Sequence, residues 1–379
     1  MKLIHLSDIH LGKRVNEFSM LEDQAHILKK ILAVVDEEKP DGVLIAGDVY
    51  DKSVPSTEAV QLFDDFLVRL AKRKLPVFII SGNHDSPERL SFANRLIDAA
   101  GIHLAPVYNG VVEPITLNDE YGPVNVYMLP FIKPAHVRGF FPDTEITGYS
   151  DAVAAAIGRM NIDKTQRNVL ITHQFVTGAQ RSDSEELSVG GTDNIGAEVF
   201  CDFDYVALGH IHGPQNMDSG RIRYCGSPLK YSFSEAAQQK SVTVAELKEK
   251  GTLEIHTVPL IPRRDMVELK GSYQKLTLRE SYENTTYQED YTHITLTDEE
   301  DIPDAVAKLR AVYHNLMKLD YDNTRTRHSA AISGAENVET RSPIALFAEF
   351  YELQNGLPMS AEQTELVASL IEKIWEGEE

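Results

Sequence analysis

Five segments of this chain share one plan: a short run of apolar and β-branched residues that breaks off at aspartate, asparagine or histidine. HLSDIH supplies Asp8 and His10, LIAGD supplies Asp48, IISGNHD supplies Asn83 and His84, LITH supplies His173, and ALGHIH supplies His210 and His212. Such runs read as buried strands, here over 2–6, 42–46, 77–81, 168–172 and 205–208, with a sixth over 124–129. Amphipathic stretches separate them. Leu21, Ala25, Leu28, Leu32 and Val35 recur at helical spacing within 16–38, before Pro40. Ser56 opens a second helix carrying Ala59, Leu62, Phe63, Phe66, Leu67 and Leu70, and Pro87 opens a third that stops before Gly101. Alternating strands and helices specify an α/β domain. Open α/β sheets gather their sites beyond the carboxyl ends of the strands, so residues far apart in the chain can meet at one edge.

The residue types point to metal ions. In Asp8-x-His10 and His210-x-His212 an extended backbone would turn both side chains the same way. Asp48, just past a strand in a glycine-containing turn, can use both carboxylate oxygens and so bridge two ions. A pair of cations about 3.5–4 Å apart activates a water, binds phosphoryl oxygens and stabilises the leaving oxygen of an in-line displacement. Gly47, Gly82 and Gly209 adjoin these residues, where the chain must turn sharply and pass close. His5, His26, His103, His256, His293, His314 and His328 read singly as structural.

Acidic residues outnumber basic ones 58 to 37, a formal charge of −21. That opposes the basic footprint of a passive nucleic-acid-binding protein, although bound cations supply positive charge that the count misses. No apolar run of about 18 residues is present to span a bilayer, and MKLIHLSDIHLG lacks a secretory h-region, so a cytoplasmic location is expected. Cys201 and Cys225 are too few for a disulfide framework and read as buried thiols.

At 379 residues the chain exceeds what one core usually organises. Pro259, Pro262, Arg263 and Arg264 look like a linker between a large unit, 1–262, and a smaller α+β stretch, 263–335. Within the latter, 281–305 carries eight acidic residues and no Lys or Arg, the mark of a solvated face. The segment 341–379 holds two helices. Pro343 opens the first, with Ile344, Phe347, Phe350 and Tyr351 on its apolar side. Ser360 with Gln363 is a capping box for the second, which bears Leu366, Leu370, Ile374 and Trp375. Two short helices make no core alone, so they either fold back on the α+β stretch or await a partner; the small polar segment before them favours a partner, with Phe347, Phe350, Tyr351, Leu370, Ile374 and Trp375 as candidate contacts.

The segments DIH, GDVYD, GNHD, THQ and GHIH resemble the successive motifs of the calcineurin-like metallophosphoesterases. The resemblance implies an αββα two-sheet sandwich over 1–262. It places Asp8, His10, Asp48 and His212 at one metal and Asp48, Asn83, His173 and His210 at the other. His84 would contact the scissile phosphate and protonate or stabilise the leaving oxygen, with Asp85 fixing its tautomer. GDVYDK and GNHD differ from the GDxxDRG and GNHE of the protein phosphatases. Longer stretches, among them MKLIHLSDIHLGK, PVFIISGNHDSPERLSF, CGSPLKYSFSE and LFAEFYELQNG, resemble the bacterial SbcD nuclease-subunit family.

That second resemblance implies a manganese-dependent nuclease that hydrolyses DNA phosphodiester bonds, as a double-strand exonuclease and a single-strand or hairpin endonuclease, in DNA repair, recombination and replication. It further implies a coiled-coil ATPase partner, SbcC, docked on the C-terminal helices, and a homodimer through Leu62, Phe63, Phe66 and Leu90. The stretch 263–335 would be an α+β capping domain, and Arg14, Lys52, Arg89 and Lys230 would meet DNA phosphates. The rival readings are a phosphodiesterase for small soluble esters and a catalytically silent scaffold on the same fold.

Overall fold

The computed structural model describes residues 1–91, 98–185, 194–326, 343–355 and 358–376. It divides the chain into two compact units, Met1–Met266 and Val267–Glu379. None of the described helices is long and apolar enough to cross a membrane.

The first unit begins with β1 (Lys2–Leu6), β2 (Arg14–Val15), β3 (Phe18–Ser19), β4 (Gly42–Ala46), β5 (Val77–Ile80), β6 (Ile102–Ala105), β7 (Ile115–Asp119) and β8 (Gly122–Leu129). It continues with β9 (Arg167–His173), β10 (Phe175–Val176), β11 (Asn194–Ile195), β12 (Tyr205–Gly209), β13 (Gln215–Met217), β14 (Ile222–Tyr224), β15 (Ser241–Leu247) and β16 (Leu253–Pro259). One six-stranded sheet has the order β16-β15-β1-β4-β5-β6, the other β13-β14-β12-β9-β8-β7. In the first sheet β1, β4, β5 and β6 are parallel. In the second, β14, β12, β9 and β8 are parallel.

Between the sheets lies a core to which Leu3, Leu44, Ala46, Phe78 and Ile80 contribute from one side and Val126, Val169, Ile171, Tyr205 and Ala207 from the other. Because side chains alternate along a strand, the opposite face of the first sheet carries Ile4, Val43, Ile45 and Ile79, equally buried beneath the helical layer of α1 (Leu21–Glu38) and α2 (Thr57–Lys72). The outer face of the second sheet packs Tyr127, Leu129, Leu170, Val206 and Leu208 against Ala152, Val153, Ala156 and Ile157 of the helix Tyr149–Gly158. This is the expected αββα sandwich. Burying a side chain the size of Phe78 contributes about 1.5–3 kcal/mol, so the two-sided core holds both sheets in a fixed relation.

Three expectations need correction. The helix expected from residue 16 begins at Leu21. Arg14–Val15 and Phe18–Ser19 form a hairpin instead, because Asn16 and Glu17 adopt left-handed φ values of 45° and 71°. Cys201 is exposed, whereas Cys225 is buried. Within the acidic stretch Asp290 is buried beside the strand Tyr291–Leu296.

In the second unit, β17 (Met266–Gly271), β18 (Tyr291–Leu296) and β19 (Asn315–Tyr321) form a sheet in that order. Leu276, Ile294, Leu296, Leu309, Tyr313 and Leu316 make its core. The helices Pro343–Asn355 and Ala361–Glu376 pack on each other. The second is opened by a reciprocal cap: Gln363 N–H donates to Ser360 Oγ at 3.2 Å, and Ser360 N–H donates to Gln363 Oε1 at 2.9 Å.

Candidate active site

The carboxyl ends of β1, β4 and β5 in one sheet and of β9 and β12 in the other meet at a single edge of the sandwich. The turns beyond the strands aim most of the side chains, while His173 is the last residue of β9 itself. Asp8, His10, Asp48 and His210 have φ of 51°, 47°, 50° and 99°, so the extended Asp-x-His geometry expected from the spacing does not occur. Left-handed backbone at a non-glycine residue costs about 1–3 kcal/mol and persists only where the surroundings impose it. Here Asp8 N–H donates to Gly47 O at 3.1 Å, His10 N–H to Asp48 O at 2.9 Å and Leu11 N–H to Val49 O at 2.8 Å, lacing the two loops together.

Two glycines make the convergence possible. A Cβ on Gly82 would lie 2.0 Å from Asp48 Oδ1, and one on Gly209 would lie 1.9 Å from Ala46 O. Both approaches are closer than any side chain permits.

Within this edge the Nε2 atoms of His10 and His212 face each other at 3.0 Å. Ligand atoms of Asp8, His10 and His212 all lie within 4.8 Å of one another, as do those of Asp8, Asp48 and His173. Asn83 Oδ1 stands 3.0 Å from His173 Nε2 and 3.0 Å from His210 Nδ1. Asp48 Oδ2 lies 3.3 Å from His173 Nε2 and 3.7 Å from His10 Nε2, between the two groups of donors. Oxygen and nitrogen donors from all these residues thus converge in a mostly buried pocket. Two imidazole nitrogens facing each other beside carboxylates fit a cation between them, and the mixed donors suit manganese, iron or zinc.

Electrostatics support the same reading. Burial holds His10 well below its ordinary range, and burial together with the charge on His173 pushes His210 down to about 3. Both therefore keep lone pairs for a metal. Burial disfavours a charged His173 as well, yet the Asp48 and Asp8 carboxylates outweigh it and lift His173 to about 9. Burial raises Asp8; it would also raise Asp48, but His173 and His10 hold that carboxyl well below the usual range. An imidazole must be neutral to ligate, so cations entering this site would displace the proton on His173.

His84 stands over this group, its ring 4.9 Å from that of His10. Its amide donates to Asp48 Oδ1 at 2.9 Å, and its Nδ1 donates to Asp51 O at 3.0 Å, which leaves Nε2 as the reactive nitrogen. Asp85 does not set this tautomer, contrary to expectation. Its carboxylate turns inward and accepts the amides of Tyr50 at 2.9 Å, Gly82 at 2.9 Å and Val49 at 3.2 Å, bracing the Asp48 loop against the Asn83 loop. Burial, with Asp48 nearby, raises Asp85 to about 6.

Several supports were not foreseen. Ala46 O accepts His173 Nδ1–H at 2.8 Å, a backbone contact with no sequence signal. Asp51, which also pairs with Lys13 at 2.7 Å, was present in GDVYD as a possible clue. Gln24 donates to His10 O at 2.7 Å from α1.

Of the expected DNA contacts, Arg14, Lys52 and Arg89 are exposed. Lys230 is engaged by Asp265 and by Ala236 O, at 2.8 and 2.7 Å. Of the expected dimer contacts, Phe63, Phe66 and Leu90 are buried in the chain's own core, and Leu62 is half-buried. Among the partner candidates Phe347, Phe350 and Leu370 are exposed and Tyr351 half-buried; the side chains of Ile374 and Trp375 lie outside the described residues.

The family described as calcineurin-like phosphoesterase matches residues 1–214, and one described as type 5 capsule protein repressor C-terminal domain matches residues 262–355. A protein of Staphylococcus epidermidis, named as the SbcD component of the nuclease SbcCD, is 32% identical over 382 residues, covering 100% of both chains. Its namesake in Staphylococcus saprophyticus subsp. saprophyticus is 32% identical over 386 residues, covering 99% of each. A likeness to the solved phosphoesterase Yfce of E. coli, at 14% identity over 69% of this chain and 100% of that one, has a TM-score of 0.28 and carries no weight. With a site of this composition at the shared edge of two sheets and relatives matched along its whole length, the chain belongs to the calcineurin-like phosphoesterases, in their SbcD branch.

Proposed function

We infer that this phosphoesterase is the manganese-dependent nuclease subunit of a two-protein DNA-processing complex, hydrolysing phosphodiester bonds at and near DNA ends. The observation that carries the reading is the convergence of donors from both sheets around Asp48, with His84 Nε2 left free beside them. Asp8, His10, Asp48 and His212 would hold one ion, and Asp48, Asn83, His173 and His210 the other. Bound there, two divalent ions supply an activated water and neutralise charge on the phosphoryl oxygens. The chain's own part is to exclude bulk water, to hold the donors through buried loops, and to present His84 to the leaving oxygen. Arg14, Lys52 and Arg89 would contact DNA phosphates. Exposed Phe347, Phe350 and Leu370 would dock on an SbcC-type ATPase as an apolar helix face.

The test is cleavage of an end-labelled DNA duplex by the purified chain with manganese, beside a chelator control and a small aryl phosphodiester. Manganese-dependent shortening supports the nuclease. Turnover of the small ester alone, even with the ATPase partner added, would replace it by a small-substrate phosphodiesterase.

A further inference from the structure

We propose that Glu235, Ser184 and Lys240 form a relay that sets the tautomer and aim of His212, and that they are positioning residues for the ion His212 would hold. The proposal rests on the reading of His212 as a metal ligand. None of the three belongs to the five ligand-bearing segments. Ser184 follows β10, and Glu235 and Lys240 precede β15.

Ser184 Oγ lies between Glu235 Oε1, at 2.6 Å, and His212 Nδ1, at 2.7 Å. The second oxygen of Glu235 accepts from Lys240 Nζ at 2.6 Å, and the same ammonium donates to the backbone oxygen of His212 at 2.8 Å. The neighbouring Glu185 accepts the His212 amide N–H at 2.6 Å. Ring, amide and carbonyl of one residue are thus each held from outside the metal site.

Proton counting decides the direction of the relay. An ionised Glu235 has no proton to give, so the Ser184 hydroxyl donates to it. The Ser184 oxygen then accepts from His212 Nδ1–H. That leaves His212 Nε2 bare, and Nε2 is the atom 3.0 Å from His10 Nε2. Glu235 and Lys240 are 0% and 4% exposed, and a buried ion pair is weak support for stability, since an apolar pair of the same volume often does as well. Setting a ligand's tautomer gives the buried charge a use, as a carboxylate behind a ligating histidine does elsewhere.

Glu235→Gln separates charge from shape. The glutamine oxygen faces the Lys240 ammonium, whose charged contact at 2.6 Å outweighs the longer one of the Tyr231 amide at 3.3 Å to the other oxygen. The NH₂ then donates to Ser184, whose proton turns towards His212 Nδ1. The ring proton moves to Nε2 and covers the lone pair meant for the ion.

The experiment uses the full chain with ¹⁵N-labelled histidine. Ring tautomers are read by NMR after chelation, and Mn²⁺ affinities by titration with the paramagnetic signal of the free ion. Expected for the wild type is His212 protonated on Nδ1 and two bound ions. Expected for Glu235→Gln is the Nε2 tautomer and a loss of about 10–100-fold in affinity for one ion, the other unchanged. Ser184→Ala, which leaves the buried pair in place, should weaken the same ion and keeps the test valid should Glu235→Gln fail to fold. Wild-type tautomer and wild-type affinities in the variants would overturn the relay but leave the metal site standing. Absence of Mn²⁺ binding to the wild type would overturn both.

Discussion

His84 is oriented by Asp51 and not by its neighbour Asp85: its Nδ1 donates to the Asp51 backbone oxygen at 3.0 Å, while the Asp85 carboxylate is taken up by three amides. The two acidic residues therefore act on different properties. His84→Gln should retain bound manganese and lose about 10²–10⁴-fold in DNA cleavage, the usual span of general acid–base catalysis. Metal content and cleavage measured on the same sample check it, and undiminished cleavage would sink the role given to His84. Asp85→Asn should instead lower stability by about 1–3 kcal/mol, since an NH₂ would confront an amide that now has an acceptor. Thermal unfolding after chelation reads this, and an unchanged transition would refute the bracing role.

Gly209→Ala puts a methyl group into the backbone oxygen of Ala46, which cannot move without displacing β4 and with it Asp48. Overpacking costs about 1–3 kcal/mol and more where backbone must shift. Both a lower unfolding temperature and weaker manganese binding are expected. Wild-type values for both would mean that the strand ends are less tightly joined than the geometry requires.

A pH effect follows from Asp119 at the far end of β7. Burial would raise its carboxyl, but the Arg167 guanidinium and the Met1 ammonium outweigh it and hold Asp119 well below the usual carboxylate range. The folded value is depressed, so the pair stabilises the fold above the unfolded value of about 3.9 and loses this as pH falls through the folded value. Asp119→Asn should be less stable than wild type at pH 7, and the gap should narrow below about pH 4. Unfolding curves of the two chains across that range decide it; a gap independent of pH would exclude the ionic origin.

The C-terminal helices carry Phe350 at 54% exposure and Leu366 at 60%, beside exposed Phe347 and Leu370, apolar surface that docking on a partner would cover. Deleting 341–379 should preserve manganese-dependent hydrolysis of a small phosphodiester and abolish capture of an SbcC-type ATPase. Capture by the truncated chain would show that docking lies elsewhere.

Sequence alone determined the sandwich and the set of residues proposed as ligands, because each of their segments is a buried strand that ends in or runs straight into them, and β1 and β4 begin and end where the apolar runs do. Residues whose role is local to one segment, such as the Ser360–Gln363 cap, were equally legible. Tertiary structure decided how the donors are aimed. The left-handed turns at Asp8, His10, Asp48 and His210 are only weakly signalled by residue type: aspartate and histidine enter that region more readily than most side chains, but the surrounding hydrogen bonds decide which of them do. It also separated Asp85 from His84, placed Asp51 and Ala46 behind the histidines, and buried Phe63 and Phe66 in the chain's own core. Those outcomes depend on which side chains meet across loops and sheets distant in sequence, and neither periodicity nor spacing along one chain records such meetings.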